Sequence, residues 1–163
     1  MSLLESIAVK TFELVARNAS ASVASGVATK IACAFPSGSQ PTDFGPWGDQ
    51  MVAQVYFEQD PVTTAAVEID FRISYKISAG QQYIDGVFAD ALVKVPTPYT
   101  LDARIDFRDP VPEESGGLEI SAIPFVITVE RSHPIFGVQS SRADGVLRGD
   151  GQSRFESFSS IAA

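Results

Sequence analysis

The chain has 163 residues and a mass of 17.4 kDa, with 45% apolar and 20% charged residues. That is enough for one domain to bury a core without a disulfide or a structural metal, and too apolar for wholesale disorder. Twelve basic residues against twenty acidic ones leave a net charge of -8 and a pI near 4.5, which disfavours nucleic acid and anionic membrane, since both need clustered Lys and Arg.

Residues 3–17 read as an amphipathic helix. At 100° per residue, Leu3, Leu4, Ile7, Ala8, Phe12, Leu14 and Val15 share one side, with Glu5, Lys10, Glu13 and Arg17 on the other. Ser2 and Glu5 have capping-box spacing. Glu5 and Lys10 interrupt the apolar run, so a secretory signal is not expected, and no run is long enough for a spanning helix. The expected location is the cytoplasm, or a virion or exported assembly without a signal peptide. Residues 19–35 fit two periods. Ala19, Val23, Val27, Ile31 and Phe35 recur every four residues, while Val27, Thr29, Ile31, Cys33 and Phe35 alternate. A second small-residue helix is the favoured reading, although Gly26 costs it about 1 kcal/mol.

Residues 36–50 read as a loop punctuated by Pro36, Gly38, Pro41, Gly45, Pro46 and Gly48. Strands follow at 51–58, 67–77, 87–95 and 101–108. The 67–77 strand alternates without error, Val67, Ile69, Phe71, Ile73, Tyr75 and Ile77 against Glu68, Asp70, Arg72, Ser74 and Lys76. The charges of Asp102, Arg104, Asp106 and Arg108 suit cross-strand ion pairs in water. Residues 118–130 form a long strand that Pro124 should bend or place at an edge. Residues 135–159 read as two or three shorter strands with a turn at Gly149-Asp150-Gly151. The expected fold class is α+β: a helical amino-terminal element over 1–35, then an antiparallel β-sandwich or open barrel over 36–163.

The chemistry-bearing patterns are sparse. The single Cys33 excludes a disulfide framework within the chain, and its small apolar neighbours predict a buried, inert thiol. The single His133 before Pro134 is a turn residue, or a base with Ser132 or Ser140 as nucleophile, and the first reading is favoured. Asp102 and Asp106 sit roughly 13 Å apart along a strand, too far for paired carboxylate catalysis. Glu68 and Asp70 share their face with Arg72 and Lys76 and read as solvated. Arg148-Gly149-Asp150, the tripeptide that integrin ligands display, falls on a predicted hairpin tip, where it is chiefly good turn chemistry. No catalytic residue, metal site or cofactor is expected.

Two patterns point to recognition. Trp47, with Asp43 and Phe44, lies in a loop long enough to suggest function, and would either contact a ligand or plug one end of the sandwich. Leu4, Ile7, Phe12 and Val15 give the helix a stripe for self-association. The expectation is a non-enzymatic structural, assembly or adaptor protein, with protein partners and a homo-oligomer foremost. The alternatives are a lectin-like sandwich binding carbohydrate and a helix-plus-sandwich pore-former. The last resembles actinoporin-like toxins in layout only, and the negative charge and the lone Trp count against it.

Overall fold

The computed structural model of the protein describes residues 4–5, 11–17, 22–24, 32–36, 38–59, 66–96 and 98–161. Two antiparallel sheets make up almost all of it. Sheet 1 contains β1 (Leu4–Glu5), β3 (Ser22–Ala24), β4 (Ala32–Pro36), β5 (Gly48–Gln59), β6 (Ala66–Ile77) and β7 (Ile84–Lys94). Its order is β1-β4-β7-β6-β5, with β3 also on β7. Sheet 2 contains β2 (Thr11–Arg17), β8 (Thr100–Phe107), β9 (Val111–Ser115), β10 (Leu118–His133), β11 (Gly137–Arg148), β12 (Arg154–Phe155) and β13 (Ser159–Ser160). Its order is β12-β11-β10-β8-β2; β9 lies along β10 and β13 along β11. A single 3-10 turn, Pro41–Phe44, is the one helical element among the described residues.

The expected amino-terminal helix is not there. Thr11–Arg17 is a strand that pairs with β8, and Leu4–Glu5 pairs with β4. The stretch fits both periods: Phe12, Leu14 and Ala16 alternate with Thr11, Glu13 and Arg17. The register decides between them. It sets Phe12, Leu14 and Ala16 opposite Ile105, Ala103 and Leu101, whose side chains are buried. Tertiary pairing of a whole β8 edge outweighs a helical propensity worth tenths of a kcal/mol per residue. The second helix fails likewise: the described parts of 19–35 are β3 and the start of β4. The fold class is all-β, not α+β.

The alternating strands behave as their patterns require. Val67 to Ile77 on β6, Val87 to Val93 on β7, and Leu101 to Phe107 on β8 bury every second residue. They meet Ile123, Phe125, Ile127, Val129 and Leu147 in one core between the sheets. Truncating Phe71, 1% exposed at its centre, would cost about 3–5 kcal/mol. The residues after β11 close one open side. Phe155 lies edge-on to Phe125 at 5.2 Å, and Phe158 lies edge-on to Tyr56 at 5.3 Å.

Pro124 occupies a central strand, flanked by β11 on one side and by β8 and then β9 on the other. Its carbonyl accepts from the Arg108 amide at 2.8 Å. In a strand the N and C=O of one residue point the same way. The missing N–H of Pro124 therefore faces the gap where β8 ends at Phe107 and β9 begins at Val111. Arg108, Asp109 and Pro110 span the stretch opposite Ile123 and Pro124, a bulge that ends one ladder and starts the next.

Candidate functional site

The pattern that stands out is on β5, at the edge of sheet 1. Its inward positions are Gln50, Val52, Gln54, Tyr56 and Glu58; its outward positions are Met51, Ala53, Val55 and Phe57. Met51, Val55 and Phe57 are 61%, 51% and 55% exposed. The usual polarity of a half-buried strand is thus reversed. The inward side can be polar because the carboxy-terminal segment and β10 offer partners there. Gln54 Nε2 donates to the Glu156 carbonyl at 3.2 Å, and Glu58 lies 3.9 Å from the Arg131 guanidinium. On the outward side Lys76 lies 4.0 Å from Asp49 at the start of the strand, and beyond it Met51, Val55 and Phe57 stay more than half exposed. There the register gives rows Met51–Ser74–Phe88, Ala53–Arg72–Asp90, Val55–Asp70–Leu92 and Phe57–Glu68–Lys94. The apolar stripe runs along the edge, and the polar β6 row separates it from Phe88 and Leu92.

Natural edge strands are protected by shortness, Lys, Pro or bulges. Among the described residues β5 pairs with β6 alone, over twelve residues in unbroken register, and carries no Lys or Pro. β9, by contrast, is five residues with Pro112, Glu113 and Glu114.

The loop around Trp47 holds Asp43, Phe44 and Trp47 close in sequence, but their side chains are engaged within the loop and with Tyr83. The Trp47 indole N–H donates to the Pro41 carbonyl at 2.8 Å, and its ring stands edge-on to Phe44 at 6.5 Å. Phe44 packs on Tyr83 at 4.7 Å, and its carbonyl accepts from the Ala79 amide. The Asp43 carboxylate accepts from the Gln40 amide at 2.8 Å, completing a capping box with Pro41 in the first turn. The sequence signal for that turn is Gln40-Pro41-Thr42-Asp43. Trp47 is half-buried and Asp43 exposed. Of the self-association residues, Leu4 lies on β1 and Phe12 and Val15 on β2, with no helix to present them as a stripe, and Ile7 lies outside the described residues.

Two guanidinium groups are held largely within the fold, and of these only Arg131 was not singled out by the sequence. Arg131 follows Val129 on the core-facing side of β10, with its side chain 10% exposed. It meets Gln139 and Glu58, and its guanidinium lies over the Tyr99 ring at 5.7 Å. A hollow of about 490 Å³ opens beside this group, lined by Tyr56, Glu58, Gln139, Ser140 and Ser141. Burial pushes the Tyr56 phenol above its ordinary value of 10.0, against the opposing pull of Arg131 and the Ser141 hydrogen bond. The signal for Arg131 was parity: it falls on the apolar side of the alternation.

Arg148 and Asp150 form a second such group. Arg148 Nη2 donates to Asp150 Oδ2 at 2.9 Å, and Arg148 also pairs with Glu113; the two side chains are 14% and 9% exposed. The Arg-Gly-Asp tripeptide is therefore an internal lock and not a displayed tip. Arg104 pairs with Asp106 at 2.9 Å on its own strand, as Arg142 does with Asp144 at 3.0 Å. Arg72 and Asp90 do pair across strands, at 3.0 Å.

His133 Nδ1 accepts from the amides of Ile135 at 3.0 Å and Phe136 at 3.2 Å, and the ring stacks on Phe136. The imidazole thereby holds the β10–β11 turn. Cys33 is fully buried. Among the described residues no three His, Cys, Asp or Glu come together as metal ligands would, and no helix is long and apolar enough to cross a membrane. No protein-family model matches the chain, and no curated protein or solved structure matches it either.

Proposed function

We propose that the protein is a non-enzymatic assembly component that works through contacts with other protein chains, copies of itself first among them. The observation that carries this reading is the outward apolar stripe of β5 on a long sheet edge that, among the described residues, pairs with β6 alone. Such an edge offers backbone hydrogen bonds and an apolar strip together, the combination that strand addition uses. The matching locations are the cytoplasm and a virion or other assembly. The test is sedimentation equilibrium from micromolar to hundreds of micromolar protein. A mass rising above the 17.4 kDa of one chain is expected. A mass fixed at that of one chain throughout overturns self-association.

A second reading, a lectin-like binder, draws on Trp47, which is half-buried and whose N–H is already bonded. Its test is Trp fluorescence during titration with simple sugars. An unchanged spectrum at millimolar sugar removes it.

A further inference from the structure

We infer that β5 pairs antiparallel with β5 of a second copy of this chain, about a two-fold axis at Gln54, so that sheet 1 continues across the interface. The inference rests on the assembly reading above and names its surface.

The placement of the stripe argues for addition at the edge and against stacking on the face. Glu68, Asp70, Arg72 and Ser74 of β6 form the row next to it. A partner lying on the outer face would bury those charges together with the apolar side chains. A strand added at the edge covers Met51, Ala53, Val55 and Phe57 and leaves the β6 row in water.

The register argues for a second copy. In an antiparallel pair, residues directly opposite share a face. Centred on Gln54, the pairing sets Met51 opposite Phe57, Ala53 opposite Val55, and Val52 opposite Tyr56. Gln54 meets its own copy across the axis, where two amides can bond each other. The acids of the strand, Asp49 and Glu58, fall opposite Gln59 and Gln50. No like charges meet, although each chain carries -8. Moving the axis to Ala53 sets Asp49 against Phe57, and moving it to Val55 sets Glu58 against Val52. A half-residue shift sets outward apolar positions against inward polar ones. The strand is self-complementary about Gln54 and about neither neighbour.

The experiment combines sedimentation with cross-linking. Val55→Lys and Leu92→Lys both change exposed side chains on the outer face of sheet 1, but Leu92 lies on β7, two strands in from the edge. Circular dichroism confirms that each variant keeps the β fold. The expected result is a wild-type mass of twice 17.4 kDa, retained in Leu92→Lys and reduced to one chain in Val55→Lys. A mixture of A53C and V55C chains should form an inter-chain disulfide under mild oxidation, well above the yield from a mixture of A53C and L92C chains. An oligomer that survives Val55→Lys, or that gives no A53C–V55C cross-link, overturns this interface and leaves the assembly reading standing. An oligomer dissociated equally by both lysines is face-to-face stacking, which also overturns it. A wild-type chain that is monomeric throughout overturns both the interface and self-association.

Discussion

A methyl group on Gly149 would lie 2.2 Å from the carbonyl oxygen of Gln82. That carbonyl accepts from the Ser121 amide at 2.8 Å, and the Ser121 carbonyl accepts from the Gly149 amide at 2.8 Å. Three backbones thus clamp the β6–β7 turn of sheet 1 onto sheet 2, and only glycine admits that approach. Gly149→Ala is expected to cost about 3 kcal/mol, because the obstacle is backbone and cannot rotate away. At this chain length that lowers Tm by about 2–4 °C per kcal/mol, measurable by calorimetry. Gly145 is constrained differently: its added carbon would lie 2.3 Å from Cζ of Phe125, the residue directly opposite on β10. Beside Gly149, hydrogen bonding to Arg148 lowers the Asp150 carboxyl from 3.8 to about 2, against the raising effect of burial. The folded-state value lies below the unfolded one, so this contribution is complete above about pH 4 and fades as pH falls through 2. Asp150→Asn should therefore destabilise the protein by about 2 kcal/mol at neutral pH. Urea titrations at falling pH should show the gap between wild type and variant closing below pH 4. A gap independent of pH overturns the ion-pair assignment.

At the scale of elements, strands with one clean period were legible and strands with two were not. β6 and β8 could be read residue by residue because Val67–Ile77 and Leu101–Phe107 fit no helix. β2 fitted both templates, and its outcome depended on the buried row of β8, which local sequence does not display. The site was harder still. The stripe on β5 is visible as Met51, Ala53, Val55 and Phe57, but alternation does not say which face is the core; the partners of Gln54 and Glu58 decide it, and they lie far along the chain, in the carboxy-terminal segment and on β10. The Trp47 loop, by contrast, announced its aromatic residue, while its 3-10 turn lies within what reads only as loop. Pairing of β2 with β8 carries its own test. Deleting residues 1–17 removes the strand that runs beside Leu101, Ala103 and Ile105 and leaves β8 as an open edge. A helix packed outside the sandwich could be removed with the remainder intact. The truncated chain is expected to lose its cooperative melting transition or to aggregate at concentrations where the full chain stays clear. A truncation that melts like the full chain overturns the β2–β8 pairing.

For the whole molecule, the sign of the net charge sets how association responds to solution conditions. Two copies at -8 repel each other, whereas the proposed interface is apolar and sets no charge against its like. The Debye length is roughly 30 Å at 0.01 M salt and 8 Å at 0.15 M. Repulsion between two small domains in contact is therefore felt at the lower ionic strength and largely screened at the higher. Association should tighten with added NaCl, by about 1–2 kcal/mol or roughly tenfold in Kd over that range. An interface built from ion pairs between copies would loosen over the same range. Acid should act as salt does: near the pI of about 4.5 the repulsion vanishes, while Asp150, held down to about 2, keeps the internal lock closed. Sedimentation equilibrium at neutral pH and at pH 5, each at low and moderate NaCl, separates the cases. The expected order is weakest association at neutral pH and low salt, with the salt effect shrinking toward pH 5. Dissociation on adding salt at neutral pH would mean that charges, and not the β5 stripe, hold the copies together.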